Sequence, residues 1–379
     1  MNEIVESWLG SLEFLKPQVS DQMEVIPVRA PEGSQNYLTL KEAMSNDLIS
    51  IGEVDEYGSV PRVLAVNRAA EPVLIIDGEE LEGAKQNRVA NATVLVPEKS
   101  ETMIPVSCVE QGRWSYTSKE FRDPERVAAL NVRVTKTRTV TENLENLGRG
   151  AEIDDTPADE ENLENIGRSA EIDDTPADEH VIRDTFEDIR EINIRNQEEL
   201  LTAYCSRQSS VWDEVNRLHR RTGSTSKTGA MADAYRKKRK TLEEFKKPFK
   251  PVKGQNGVLV AINGRIAGFE LVSRSSAYRE LHDKIIKSYA IEAMLHDAAT
   301  YEPVDPEGFI ERIMNADEHR YPSPGYGIDH RYTSEGLVGS ALTHAGEVIH
   351  SVFFNLQDES GRIRGYRERA ETMRRNNNI

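Results

Sequence analysis

The sequence predicts an α+β fold: an N-terminal antiparallel β-sandwich or barrel, helices from the second half packed on it, and a C-terminal β unit that returns to the sheet. Three observations support this prediction. Residues 23–116 consist of short apolar runs between turn residues, the apolar spacing becomes helical over 181–247, and strand-like runs reappear over 326–356. Many short strands without long helices between them are typical of antiparallel sheets.

The first part of the chain contains the predicted sheet. Its apolar runs have strand length, are bounded by Gly and Pro, and occupy 23–28, 48–54, 60–66, 73–76, 92–96 and 103–109. A short helix is expected around 40–47, and an amphipathic helix over 1–20.

The second half combines helices with a hairpin. The predicted helices cover 181–221, 229–247 and 275–298. Between the last two, the runs 258–262 and 265–271 flank Asn263-Gly264. Asn-Gly favours the type I′ turn that joins two strands most directly, so these runs are predicted to form a hairpin.

An acidic tandem repeat divides the chain. Residues 142–160 and 161–179 match at seventeen of nineteen positions and carry −12 of the total net charge of −17. Two copies are too few for a solenoid, so we interpret them as a mobile insertion or a weakly helical acidic arm. The resulting division is an N-terminal helix 1–20, a β-rich part 21–135, an acidic insertion 136–194, a helical and hairpin part 195–356, and a basic tail 357–379.

Composition excludes several classes of protein. The two cysteines form neither a disulfide framework nor a zinc motif, and no apolar stretch approaches the roughly 18 residues of a membrane span. We therefore expect a cytoplasmic protein without a metal, and the cofactor stays unknown. No phosphate loop, dinucleotide fingerprint or nucleophile elbow is present.

A basic run over 236–253 holds nine bases and two acids. With no recognisable reading module, nucleic-acid binding is not expected. The run is interpreted as a solvated face or as an intramolecular partner of the acidic repeat.

The stretch 77-DGEELEGAKQNR-88 is the first candidate site. It is longer than a hairpin turn requires, and it contains Gly78 and Gly83. Arg and Lys bind phosphate or carboxylate, while amides suit base or ribose edges. The candidate ligand-binding residues are Asp77, Lys85, Gln86, Asn87 and Arg88. The alternative is a loop whose own acids and bases neutralise each other.

The stretch 105-PVSCVEQGRW-114 is the second candidate site. Glu110, Gln111, Arg113 and Trp114 provide an acid, an amide, a cation and a ring within five residues, which suits a nucleobase or sugar. Trp114 as simple core packing stays open. Cys108 is interpreted as a buried small hydrophobe rather than a nucleophile, because a thiolate needs a nearby cation or His.

Several sequence blocks resemble one protein family. The two stretches above, with 208–215, 258–276, 288–293 and 348–354, resemble the ARPP domain, associated with ADP-ribosylglycohydrolases and rhodanese-phosphatases in prokaryotes. The resemblance covers about 20–135 and 195–356, and the repeat 142–179 departs from it. The family has no assigned biochemical function. Its genomic company implies nucleotide or ADP-ribose chemistry in prokaryotic conflict or defence systems.

Two functional hypotheses follow. The first is a domain that binds, and in an extended form hydrolyses, a small anionic ligand of nucleotide or ADP-ribose type. Arg88 or Arg113 would clamp the anion, and the candidate catalytic residues are Glu79, Glu80, Glu110 and His350. His350 as a core histidine stays open. The second hypothesis is a non-enzymatic β-sandwich scaffold that binds a protein partner through the acidic insertion. The sequence does not decide whether the protein is an enzyme.

Overall fold

A computed structural model describes residues 1–151, 197–297 and 303–356, and shows a mixed α+β structure built mainly from antiparallel sheets. The predicted fold class is confirmed. The acidic insertion beyond residue 151 and the tail 357–379, with the mobility and fraying expected for them, lie outside the described residues.

The strands are numbered in chain order. They are β1 (Glu13–Phe14), β2 (Gln18–Ser20), β3 (Met23–Arg29), β4 (Leu38–Thr39), β5 (Ile49–Gly52), β6 (Arg62–Asn67), β7 (Val73–Ile75), β8 (Glu80–Gly83), β9 (Arg88–Ala90), β10 (Val94–Val96), β11 (Glu101–Cys108), β12 (Phe121–Arg122), β13 (Gly257–Ile262), β14 (Arg265–Val272), β15 (Asp317–Pro322), β16 (Ile328–Ser334), β17 (Leu337–His344) and β18 (Glu347–Asn355). The helices of the described ranges are α1 (Glu3–Leu9), α2 (Leu40–Ser45), α3 (Leu130–Ala151), α4 (Gln197–Ala203), α5 (Gln208–Thr222), α6 (Met231–Lys246), α7 (Ser275–Ala293) and α8 (Pro306–Met314).

A nine-stranded sheet joins the two ends of the chain. Its order is β1-β3-β13-β14-β18-β17-β16-β15, with β2 also paired to β3. The N-terminal β3 pairs along its length with β13, for example Val25 opposite Val260. The C-terminal strands continue the same sheet through β14 and β18, which confirms the predicted return of the C-terminal β unit.

Helices cover both faces of this sheet because its strands alternate apolar residues toward each side. Val25 and Val258 face α7 and its buried Leu281. Ile26 and Leu259 face the opposite side, where α1 and α8 pack.

Two further sheets form the rest of the N-terminal part. A six-stranded sheet has the order β12-β8-β9-β11-β6-β5, and a three-stranded sheet has the order β10-β7-β4. They share an apolar core that includes Ile75, Ile104 and Val63. The paired runs 60–66 and 103–109 were predicted as strands, and they form β6 and β11.

Three elements differ from the sequence predictions. The N-terminal helix is shorter than 1–20: it ends at Leu9, and β1 and β2 follow. The stretch 77–88 is not an open loop but contributes β8 and the start of β9. Helix α3 crosses the boundary predicted at residue 135. The sequence does not predict this helix, because its many β-branched residues obscure helical spacing.

Gly339 tests the packing of β17 on β18. A Cβ there would lie 2.2 Å from Phe353 Cδ1 and 2.7 Å from the main-chain oxygen of Val352. We expect Gly339→Ala to lower the free energy of unfolding by about 1–3 kcal/mol, the usual cost of overpacking, in urea titrations. Gly52→Ala is the matched strand control, since nothing lies within 4 Å of its added Cβ. Equal unfolding free energies for the two variants would contradict this packing.

Candidate functional site

The stretch 77–88 is a buried polar hairpin. Gly83 has φ +128°, and a Cβ there would lie 2.4 Å from Ser118 Oγ, so the turn requires glycine. Seven of its eight polar side chains are between 0% and 8% exposed: Asp77, Glu79, Glu80, Lys85, Gln86, Asn87 and Arg88. Buried charges need partners, and most of these come from other segments of the chain.

The two motif segments meet at Arg113. Its guanidinium donates to the carbonyl oxygens of Gly83 at 3.1 Å and Ala84 at 2.6 Å, and to Glu110 at 2.7 Å. The main-chain N–H of Asn87 also donates to Glu110, at 3.2 Å. The predicted proximity of 77–88 and 110–114 is therefore present, and Arg113 serves to hold the hairpin turn.

Glu110 is tied into this junction. Burial opposes its ionisation, but hydrogen bonds from Arg113, Thr228 and Asn87 outweigh burial and lower its pKa. Thr228 donates to its other oxygen at 2.6 Å. A carboxylate with both oxygens occupied and a lowered pKa is a poor general base.

Lys85, Arg88 and Trp114 form the outer end of the hairpin. Lys85 Nζ lies 5.5 Å from the ring centre of Trp114 and 5.0 Å from that of Tyr116, and it donates to the carbonyl of Glu56. The Arg88 guanidinium lies 5.5 Å from the Trp114 ring. Both cations are thus engaged inside the protein.

The amides of the candidate site have local partners. Gln86 accepts from Arg88 at 2.7 Å, and Asn87 accepts from the Gly83 amide at 3.1 Å. Gln111 is exposed, and its main-chain carbonyl accepts from Gln86 at 3.5 Å.

Glu79 and Glu80 point away from this junction. Glu79 pairs with Lys284 of α7, and burial raises its pKa. Glu80 pairs with Arg126 at 2.9 Å. Each is fully buried, so these two candidate catalytic carboxylates lie in ion pairs of the core.

A central ion network joins α3 to the nine-stranded sheet and to the polar hairpin. Lys136 of α3 donates to Asp77 at 2.6 Å, and Arg133 binds Glu270 of β14 through two hydrogen bonds of 2.8 and 3.0 Å. All four side chains are fully buried. Burial lowers the pKa of Lys136 to about 8 despite Asp77.

His350 belongs to the same network. Its Nδ1 lies 2.7 Å from Thr93 Oγ1, and its Nε2 lies 3.3 Å from Glu270 Oε1. A hydroxyl, an imidazole and a carboxylate in sequence resemble a catalytic triad. His350 and Thr93 are buried and neither lines the groove described next, so this arrangement lies in the core.

An open groove lies beside the outer end of the hairpin. Its volume is about 750 Å³, and its floor is formed by Leu64 and Val66 on the outer face of β6. The walls bring Tyr116 together with four carboxylates and one lysine: Glu53, Asp55, Glu56, Glu120 and Lys119. Trp114 and Tyr116 are 46% and 50% exposed.

The groove gathers only part of the predicted site. Lys85 and Arg88 lie beside it, through the contact of Lys85 with Tyr116 and of Arg88 with Glu53, and Arg88 also contacts the Trp114 ring. Asp77, Glu79, Glu80 and His350 lie in the core instead. The sequence reading missed Glu53 and Tyr116, although the run 53-EVDEYG-58 combines acids with a turn before a strand.

Comparison with known proteins gives one match. A family model described as the ARG and Rhodanese-Phosphatase-superfamily-associated Protein domain, ARPP-1, matches residues 11–354. The chain belongs to the ARPP-1 family. The resemblance noted from its motifs is confirmed. Comparisons with curated proteins and with solved structures gave no match.

The described residues of this ARPP-1 chain contain neither a membrane-spanning helix nor a metal-binding cluster. None of the helices within 1–151, 197–297 and 303–356 has the length and apolarity that a membrane crossing needs. In the same ranges, no three His, Cys, Asp or Glu side chains are grouped to hold a metal ion.

Glu270 of the ARPP-1 core gives a pH-dependent prediction. Burial raises its pKa, but Arg133 and His350 outweigh burial and lower it from 4.5 to about 2. The carboxylate therefore stabilises the fold fully above about pH 4.5, and this contribution is lost as pH falls toward 2. We expect Glu270→Gln to lower the free energy of unfolding at pH 7 by about 3–5 kcal/mol, because the buried Arg133 loses its doubly hydrogen-bonded carboxylate partner.

Urea unfolding at pH 7, 5 and 3 measures this effect, and the difference from wild type should shrink at pH 3. Glu101→Gln, an exposed strand residue, is the control. A difference that is constant with pH would contradict the assignment.

Cys108 of the ARPP-1 domain is expected to be unreactive. Burial raises the pKa of its thiol to about 11, although Arg88 contacts the sulfur. Iodoacetamide at pH 7.5 should leave Cys108 unmodified in the native protein and modify it in urea, as read by mass spectrometry. Rapid native modification would restore the nucleophile hypothesis.

Proposed function

We propose that this ARPP-1 chain binds a ring-bearing ligand of nucleotide or ADP-ribose type in the groove beside Trp114 and Tyr116. The observation that carries the proposal is the groove itself. Its volume of about 750 Å³ lies in the range of small-molecule sites, which are concave and combine apolar walls with a few polar groups.

The aromatic rings suit the base of such a ligand. Tyr116 lines the groove, and Trp114 is held beside it by Lys85, which contacts both rings. Rings fixed from behind keep one face available for stacking, and stacking of a base on an aromatic side chain contributes about 1–3 kcal/mol.

The charges of the groove suit the sugar better than the phosphates. Its lining contains four carboxylates and one lysine, Lys119. Carboxylates accept hydrogen bonds from ribose hydroxyls and repel phosphate. We therefore place the base and ribose in the groove, and the phosphates toward Lys119 and solvent. The anion clamp first expected from Arg88 and Arg113 is disfavoured, because both guanidinium groups bind protein oxygens or sulfur.

Hydrolysis is the extended form of this proposal. Its general base would come from Glu56 or Glu120 in the groove, since Glu79, Glu80 and Glu110 are held in ion pairs. The role in prokaryotic conflict or defence stays what the family resemblance implies, without support from the geometry.

Thermal unfolding with adenosine, AMP, ADP-ribose and NAD tests the proposal. A ligand at one hundred times its dissociation constant stabilises the native state by about 2.7 kcal/mol, so at least one member should raise Tm by several degrees. Tyr116→Ala should weaken binding about tenfold, because stacking is lost. Tyr57→Ala is the control, since Tyr57 is 84% exposed and lies outside the lining.

A protein-interaction scaffold is the competing function. It would be favoured if no ligand changed Tm and a purified protein partner bound through the acidic insertion instead.

A further inference from the structure

Two buried charged side chains lie at the groove without a hydrogen bond to each other: Glu53, which lines it, and Arg88 behind Glu53. Glu53 Oε1 accepts from the Lys85 amide at 3.1 Å, whereas Glu53 Oε2 lies 4.0 Å from Arg88 Nη2. Within the described part of the chain, Glu53 Oε2, Arg88 Nε and Arg88 Nη2 have no hydrogen-bond partner. The Glu53 side chain is 2% exposed and that of Arg88 is 0% exposed.

The separation of 4.0 Å exceeds a hydrogen bond but accommodates one bridging oxygen. An oxygen about 2.8 Å from each atom would satisfy both of them. Natural proteins rarely leave buried charged groups without partners, so a polar atom is expected to occupy this position.

The chemistry of the two groups selects the bridging atom. A carboxylate only accepts hydrogen bonds and a guanidinium only donates them, so the bridge must donate to Glu53 and accept from Arg88. A hydroxyl does both. A phosphate oxygen does not donate and would be repelled by Glu53, and an ammonium group does not accept and would be repelled by Arg88.

The position of the pair connects it to the ligand site. Glu53 lines the groove, and the Arg88 guanidinium lies under the half-exposed Trp114 ring. A ligand whose ring stacks on the aromatic wall would therefore present a sugar hydroxyl to the wall below it.

We propose that Glu53 and Arg88 form a ribose subsite, in which a ribose hydroxyl bridges Glu53 Oε2 and Arg88 Nη2. This inference rests on the proposed function, because it specifies the sugar of the ligand in that groove. It predicts selection for ribosides over sugars that lack the hydroxyls, since the deoxy analogue leaves both buried groups unpaired.

Isothermal titration with adenosine and 2′,3′-dideoxyadenosine tests the subsite on the wild-type chain. We expect adenosine to bind at least tenfold more tightly. Equal affinities would overturn the ribose subsite and leave the proposed function standing, because a ring ligand would still bind. Failure of both nucleosides, and of AMP, ADP-ribose and NAD, would overturn both proposals.

Two variants test whether the preference for adenosine depends on the Glu53 carboxylate. Glu53→Gln should reduce the preference for adenosine to within about twofold. The carboxamide replaces one of the two acceptor oxygens by an NH₂ donor, so it no longer matches the hydroxyl and Arg88 as the carboxylate does. Glu101→Gln removes an exposed carboxylate that does not line the groove and should keep the preference. Circular dichroism and Tm check that both variants are folded.

An ordered water is the alternative occupant of the bridge. In that case Glu53→Gln and wild type would show the same preference, which would overturn the subsite. The wild-type comparison needs no variant, and equal affinities would overturn the subsite even if Glu53→Gln failed to fold.

Discussion

The buried ion pairs made by Arg133 and Lys136 are the interaction on which the arrangement of the two halves depends. They lie one turn apart on α3, so one helix face supplies two cations. One binds Glu270 in the nine-stranded sheet, and the other binds Asp77 at the start of the polar hairpin. Since an unpaired charge in the interior is strongly destabilising, these pairs fix the position of α3 against the nine-stranded sheet and the polar hairpin.

The same logic separates the structural charges from the functional ones. Glu79 and Glu80 of 77–88 suggest catalysis by their residue type. Each is held instead by a specific partner in the core, Lys284 or Arg126. The groups left for ligand chemistry line the groove, where Tyr116 is half-exposed and the buried Glu53 Oε2 has no hydrogen-bond partner among the described residues. Position beside the groove, rather than residue type, therefore distinguishes the two sets, and the acidic lining favours a neutral polar ligand group over a free anion.

Sequence patterns predict the parts of the fold that depend on local spacing. The Asn263-Gly264 turn between the runs 258–262 and 265–271 predicts the hairpin of β13 and β14, and similar apolar runs predict the C-terminal strands. The burial of Asp77 and Glu79 is not predictable in this way. Their partners, Lys136 and Lys284, are 59 and 205 positions away, and no local pattern indicates such pairing. Glu53 was missed for the same reason, because its importance comes from Arg88.

The pairing of β3 with β13 also governs the order in which the chain can fold during translation. Val25 is synthesised long before its neighbour Val260, and Thr93 long before His350. Such contacts give a high contact order, which is typical of slow folding. The N-terminal half emerges from the ribosome with the edge of β3 and its charged interior still lacking their partners. Cooperative folding therefore waits for the last strand, β18, to be released.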